Sequence, residues 1–386
     1  MLTRRLTARD PNETHRAATQ LELFFDLVIV IGLAALTASM HHEVSAGHGL
    51  ESLPMFAMGF VSLWWIWTNF TWFATSFDND DSVYRFLVMI MMGGAAMFAG
   101  GIAHIFATQD ATFGTFGWVI MRLALVMLWL RAARHNPQFV TVARIYAFGL
   151  VSIQILWVTF VILVPSDDPN LLMIGGLLFL LEIAVPFIAD RFGHLPFHRK
   201  HLIERYGLLN IIVLGEGVLS VALIFGSLHG QDIDVGLIFT GVSAMAVICA
   251  MWWFYFLESE EHLASSRHFH VGLWSFTHVL IFGGGTLVGA GMAAYLDVLT
   301  DHSHTNLTAV SGFTNGSIAA YVFGLWLVRD VFLDIGWRSH VPLVTALILL
   351  LACFFATPLW VTFLILASGI VLRSFSDETA GHLKEG

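Results

Sequence analysis

Along almost the whole chain, apolar runs of roughly 18 to 25 residues alternate with short polar or Gly- and Pro-containing stretches, the length at which a helix crosses a bilayer. The runs start near residues 21, 54, 83, 113, 142, 170, 204, 234, 270, 309, 339 and 358. They predict about twelve transmembrane helices and hence an all-α integral membrane protein; the last two runs are divided only by the segment ATPLW. The first run follows basic residues and precedes LTASM, as a cleaved leader would. It opens with Glu22 and Asp26 and has a later echo, so it reads as a retained helix.

The echo belongs to an internal repeat. LELFFDLVIVIGLAAL returns as LIERYGLLNIIVLGEGVL, WFATSFDNDD as WFYFLESEE, GGAAMFAGGIAH as GGTLVGAGMAAY, and MLWLRAARHN as GLWLVRDVFLD, in the same order at offsets of roughly 180 to 200 residues. The expected organisation is a first six-helix repeat at 21–190, a cytoplasmic linker at 191–203 and a second repeat at 204–373, flanked by cytoplasmic segments 1–20 and 374–386. An even number of helices per repeat makes the two parallel, with a site expected between them.

Composition agrees with the pattern: 57% of residues are hydrophobic and 12% charged, where soluble domains carry roughly 25% charged residues. Basic residues then set the orientation. With the N-terminus inside, Lys and Arg fall on one side at every connection, from Arg4, Arg5, Arg9 and Arg16 to Arg373 and Lys384, and the opposite loops carry none. Arg122, in the middle of the fourth helix, is the exception. The formal net charge of -10 is spread over loops, and the outer ones carry acids and histidines such as His41, His42, Glu43 and His48, more readily solvated than metal-bound. Cys249 and Cys353 lie in apolar runs without metal or redox spacing. No basic run, phosphate loop, HExxH or GxSxG is present, so nucleic-acid binding and hydrolytic chemistry are not expected, nor is a cofactor or metal.

Three stretches, ELFFDLVIV, WWIWTNFTWFATSFDNDDSVYR and ERYGLLNIIVLGEGVLSV, resemble the signature motifs of the bacterial low temperature requirement A (LtrA) family, and the likeness spans nearly the whole chain. The resemblance implies a multi-pass protein of a bacterial cytoplasmic membrane and no particular reaction. In the third motif the family usually has Ser or Ala after the glutamate; Gly217 stands there here.

The candidate residues are the charges that the pattern places inside the membrane, where each costs about 2.5–3.5 kcal/mol on insertion scales. Glu216 lies eleven residues beyond Arg205, roughly 16 Å deep and near the midplane. Arg122 reaches a similar depth, and neither has a charged counterpart in the other repeat, so the two are expected to pair. Glu22 and Asp26 share one face of the first helix, suited to an inner vestibule, with helix capping as the structural alternative for Glu22. Glu182 precedes Pro186 by four residues, which leaves its own carbonyl without a helical donor. His104 and His278 could extend a proton relay. Asp78, Asp80, Asp81 and Arg85, with Tyr84, form an inner-loop cluster that could latch one state, with Glu258, Glu260, Glu261 and Arg267 as its later counterpart. The stripe Trp64, Trp65, Trp67, Phe70, Trp72 and Phe73 could stack on an organic cation or face lipid.

These residues suggest a transporter coupled to protons or a cation, with Glu216 and Arg122 as a midplane switch and a link to cold or envelope adaptation. A second class is a channel: two six-helix repeats opening on a Phe-rich segment with an Asp also resemble two-repeat lysosomal-type potassium channels. Their Phe-Ser-Asp motif is only partly kept: the residue before Asp26 is Phe25, not Ser, and the seventh helix lacks the Asp. A membrane scaffold or sensor is the third. No enzyme activity is expected; the expected partners are membrane lipids and a small solute or ion, with a homo-oligomer as a further option and no nucleic acid.

Overall fold

A computed structural model describes residues 4–11, 13, 16–226, 235–257, 268–332 and 336–375. The described residues form twelve α-helices and no strand. These are α1 (Gln20–Ser45), α2 (Leu53–Phe77), α3 (Ser82–Thr108), α4 (Thr112–His135), α5 (Val140–Leu163) and α6 (Leu171–Asp190), then α7 (Arg199–Gly226), α8 (Val235–Phe256), α9 (His268–Leu299), α10 (Leu307–Val328), α11 (Val341–Ala352) and α12 (Leu359–Ser374). Eight of the described helices are long and apolar enough to cross a membrane. The chain is a multi-pass membrane protein. α11 and α12 are apolar but shorter, while α2 and α10 have the length but carry more tryptophan, threonine, serine and asparagine.

Helix starts follow local chemistry. Pro54 opens α2, where a missing N–H costs nothing. Asp81 caps α3 by accepting from the Tyr84 N–H, and Asn306 caps α10 by accepting from the Ala309 N–H. At α1, Thr19 and Glu22 cap each other: the Thr19 N–H donates to Glu22 Oε2 at 2.8 Å and the Glu22 N–H to Thr19 Oγ1 at 3.2 Å. One start differs from the expected pattern with consequences for the site. α7 begins at Arg199, not near 204, because the polar segment RKHLIER is helical rather than loop.

The chain packs as two compact units, Met1–Ser39 with Glu51–Leu209, and Met40–Leu50 with Asn210–Gly386. In the first, α3 packs on α4, α4 on α5 and α5 on α6, and α2 touches α6. In the second, α9 packs on α10, α10 on α11 and α11 on α12, and α8 lies against α12. Small residues allow the closest of these crossings. A Cβ at Gly94 would lie 2.5 Å from the Gly117 carbonyl oxygen, and one at Gly284 would lie 2.7 Å from the Ser317 carbonyl oxygen.

The core of the first unit is α2. Trp64, Trp65, Trp67, Phe70 and Phe73 are all buried and Trp72 is half-buried. Apart from Trp72 the aromatic stripe is therefore packed inside its own unit, with the Phe25 ring 4.1 Å from Phe70 at 32° and Trp129 4.8 Å from Phe73.

Candidate functional site

Four ionisable side chains meet inside the first unit. Because α7 starts early, His201 and Arg205 sit on one of its faces a turn apart, matching Glu22 and Asp26 on α1. His201 Nε2 lies 3.2 Å from Glu22 Oε1, and Arg205 donates from Nη1 and Nη2 to both oxygens of Asp26 at 2.6 and 2.7 Å. The rungs come in the same order along both helices, so α1 and α7 run in the same direction here. All four residues are at most 1% exposed. The ladder is held from α2: the Trp67 indole N–H donates to Asp26 Oδ1 at 2.8 Å, and His201 Nδ1 is 3.1 Å from the Thr75 hydroxyl. Arg16 then donates to the carbonyls of Thr75 and Ala74 at 2.6 and 2.7 Å, covering the C-terminal end of α2 with positive charge. Glu22 is thus both a helix cap and a rung.

Arg122, expected to pair with Glu216, has Glu182 of α6 as its ion partner, with Nη2 2.6 Å from Oε1. The contact is close but poorly angled for a hydrogen bond, and Arg122 Nε has no hydrogen-bond partner. The physical reason for the correction is local. A buried guanidinium is most cheaply neutralised by a carboxylate on a helix already packed in the same bundle, and equal depth along two helices does not make them neighbours. Trp157 donates to the other Glu182 oxygen at 3.1 Å, and the guanidinium stacks 4.4 Å from the Trp118 ring. Glu182 therefore serves as a counter-charge in addition to preceding the Pro186 irregularity.

Glu216 lies in the second unit. On α7, Val213, Gly217 and Ser220 face α9, α8 and α9 respectively: Val213 is met by Gly285, a Cβ at Gly217 would press on Ile248, and Ser220 donates to the Gly289 carbonyl at 2.8 Å. Helical spacing puts Glu216 on this same face. The residue is buried, at 8% exposure, and among the described residues its carboxylate has neither an ion-pair nor a hydrogen-bond partner. The glycine at 217 accommodates Ile248.

The remaining candidates separate. His104 is exposed at the end of α3, 3.6 Å from Asp110, and so lies at a helix end rather than in a buried relay. His278 is buried with both ring nitrogens engaged, Nδ1 donating to the Trp274 carbonyl at 2.9 Å and Nε2 lying 3.1 Å from the Tyr255 hydroxyl. In the loop cluster, Asp81 is bound by Arg131 of α4 and by the Arg4 N–H, joining the start of α3 to the end of α4. Burial alone would raise the Asp81 pKa, but these bonds and the Tyr84 N–H hold it well below the usual aspartate range. Asp80 pairs locally with Arg85 at 2.6 Å on the surface. Asp78 is buried and the Arg9 guanidinium reaches only its backbone carbonyl, at 3.4 Å; its carboxyl is pushed up to about 6 by burial and then by the charge of Glu22. The counterpart cluster, Glu258 to Arg267, lies outside the described residues.

A further buried group was not marked out by the sequence. In the second unit Asp330 accepts from Arg373 Nε at 2.8 Å and from Arg329 Nε at 3.0 Å, while Arg329 also donates to the Phe254 and Tyr255 carbonyls at 3.2 and 3.5 Å. Arg329 and Arg373 count toward the basic side in the sequence pattern, which hides that both are buried. The adjacent Arg-Asp pair at the end of the tenth apolar run was the available signal.

The first unit also holds a cavity of about 400 Å³ among α2, α3, α4, α5 and α6, reached from the helix end that carries Gln109, Asp110 and Ser166. Trp118 and Trp157, which touch Arg122 and Glu182, line it.

Buried ion pairs on many apolar helices define a multi-pass membrane protein with charged groups inside its helix bundles. Residues 17–374 match the family model described as bacterial low temperature requirement A protein (LtrA), and the chain belongs to that family. It is 26% identical over 302 residues to an uncharacterized protein of Rhizobium meliloti (strain 1021), covering 73% of this chain and 70% of that protein. No solved structure matches it.

Proposed function

We propose that the protein is a membrane transporter coupled to protons or another cation, and that Glu216 is the group that exchanges the coupling ion. One observation carries this reading. The other carboxylates buried in the helices, Glu22, Asp26 and Glu182, each meet a basic side chain within 3.2 Å, whereas Glu216 has no partner among the described residues. An unpaired carboxylate in an apolar helix costs about 2.5–3.5 kcal/mol, a cost that a bound proton or cation removes. The charge is then the site itself rather than half of a static pair.

The recurrence of neighbours six helices apart supports a duplicated chain. The α3–α4 crossing at Gly94, Gly101 and Gly114 has its counterpart in the α9–α10 crossing at Gly284, Gly291 and Thr314. The positive-inside pattern supports cytoplasmic termini in a bacterial inner membrane. In this reading the paired groups, Asp26–Arg205 and Arg122–Glu182, hold the helices of the first unit together and do not exchange the ion.

The test is charge displacement by protein reconstituted on a solid-supported membrane, driven by pH jumps and by sodium or potassium jumps. Wild-type protein should give a transient to at least one of them, and Glu216→Gln should lose it. Identical transients in the two proteins, none in either, or discrete single-channel currents in a planar bilayer would overturn the reading.

A further inference from the structure

The cavity of the first unit is walled by aromatic rings set at steep angles to one another. Phe98 lies 5.8 Å from Trp118 at 49°, Trp118 lies 6.4 Å from Trp157 at 63°, and Trp157 lies 5.8 Å from Phe160 at 79°. Rings turned in this way present faces in several directions around one space, and Phe106 adds a fifth ring to the lining. The space, about 400 Å³, is in the range of small-molecule sites.

Its charge is one-sided. No Lys, Arg or His lines the cavity, and the one ionisable lining residue is Asp110 at the mouth. The Asp110 carboxylate is anchored by the Thr112 N–H at 2.8 Å, with His104 3.6 Å away on the exposed side. The segments of the first unit at this end of the helices, 51–52, 109–111 and 164–170, contain no Lys or Arg at all. The protein itself demonstrates what these rings attract: Arg122, outside the lining, stacks on Trp118 at 4.4 Å. Aromatic faces with a nearby carboxylate and no Lys or Arg within the lining suit an ion whose positive charge is wrapped in apolar groups.

We infer that this cavity binds a hydrophobic organic cation, an ammonium or phosphonium with apolar substituents, between Phe98, Phe106, Trp118, Trp157 and Phe160, with Asp110 as the counter-charge at the entrance. The site lies wholly within the first unit and does not depend on ion exchange at Glu216. If the transport reading also holds, the cavity is where such a cation enters.

The experiment is equilibrium binding of tetraphenylphosphonium to the full chain in detergent, beside tetraphenylborate, which has nearly the same shape and the opposite charge. The phosphonium should bind in preference to the borate. Phe106→Leu and Phe160→Leu should each weaken it by roughly 2- to 5-fold. Asp110→Lys should weaken it by roughly tenfold or more and narrow the preference over the borate. Gly93→Ala, outside the lining and with open space for its added Cβ, should leave it unchanged, and an unfolding midpoint near that of the wild type for each variant reports that it is folded. Equal binding of the two ions, as displacement of an acyl chain would give, overturns the inference. So does a preference for the borate, or phosphonium affinity that none of the three variants changes. Glu216→Gln should bind the phosphonium as the wild type does, so failure of the transport reading and failure of this one are distinguishable.

Discussion

Asp26 and Arg205 face each other through two hydrogen bonds of 2.6 and 2.7 Å, with neither side chain exposed and the Trp67 indole donating to the same carboxylate. A buried pair of this kind is a weak net stabiliser, but removing one partner strands the other. Asp26→Asn should therefore destabilise the protein by about 3–5 kcal/mol, whereas Asp26→Leu combined with Arg205→Met should recover most of the loss. Denaturant unfolding in detergent measures both. A single variant as stable as the wild type would show that the pair is not sealed from water.

Arg122 and Glu182 invite a double-mutant cycle. Arg122→Leu and Glu182→Leu should each cost about 3 kcal/mol or more, and the double variant clearly less than their sum, because each single change leaves a charge without its partner. Glu216→Gln should not destabilise the protein, since no partner is lost and an uncompensated charge is removed. Additive effects at residues 122 and 182, or a large loss at 216, would contradict these assignments.

What was legible in the sequence follows from the same physics. The twelve helices were, because an apolar run bounded by polar residues has few other ways to satisfy its backbone in lipid; the predicted starts near 21, 54, 83 and 113 meet observed starts at Gln20, Leu53, Ser82 and Thr112. The depth of Arg122 was readable too, but its partner was not, since rise per residue gives height in the membrane and says nothing about which helices are neighbours. His201 and Arg205 were hidden because RKHLIER looks like a loop by hydropathy, although it is a helix whose polar face is occupied by Glu22 and Asp26. The burial of the α2 tryptophans depends on the helices packed around them, which hydropathy alone does not reveal.

Acidity should act through the loop at the end of α2. The Asp78 carboxyl is pushed from the ordinary value of 3.8 up to about 6 by burial, so between those values the folded state holds a proton that the unfolded chain releases. This group's contribution to stability is full below about pH 4, falls as pH rises toward about 6 by on the order of 3 kcal/mol, and is flat above. Asp81, held low mainly by Arg131, works in the opposite sense: its contribution is present above the ordinary aspartate value and is lost as pH falls through its depressed one. Unfolding midpoints of wild type and Asp78→Asn between pH 4 and 7 should diverge, with the wild type losing stability relative to the variant as pH rises. Parallel curves would place Asp78 in contact with water.

The α3–α4 crossing depends on the absence of side-chain atoms. A Cβ at Gly117 would lie 2.5 Å from the Gly94 carbonyl oxygen, whereas one at Gly93 meets nothing within 4 Å. Gly117→Ala should cost about 1–3 kcal/mol through forced separation of the helices, and Gly93→Ala should be neutral or slightly stabilising. Thermal unfolding of the two variants side by side gives the comparison, and equal behaviour would mean that the helices do not cross this closely.

The central claim is that the Glu216 carboxyl itself takes up and releases the coupling ion. Infrared difference spectroscopy of the reconstituted protein, between low and high pH and between sodium-free and sodium-containing buffer, observes that group directly. The account predicts a carboxyl band that changes in at least one of these differences and is missing from Glu216→Gln. Difference spectra that are the same in wild type and Glu216→Gln under both conditions would contradict it.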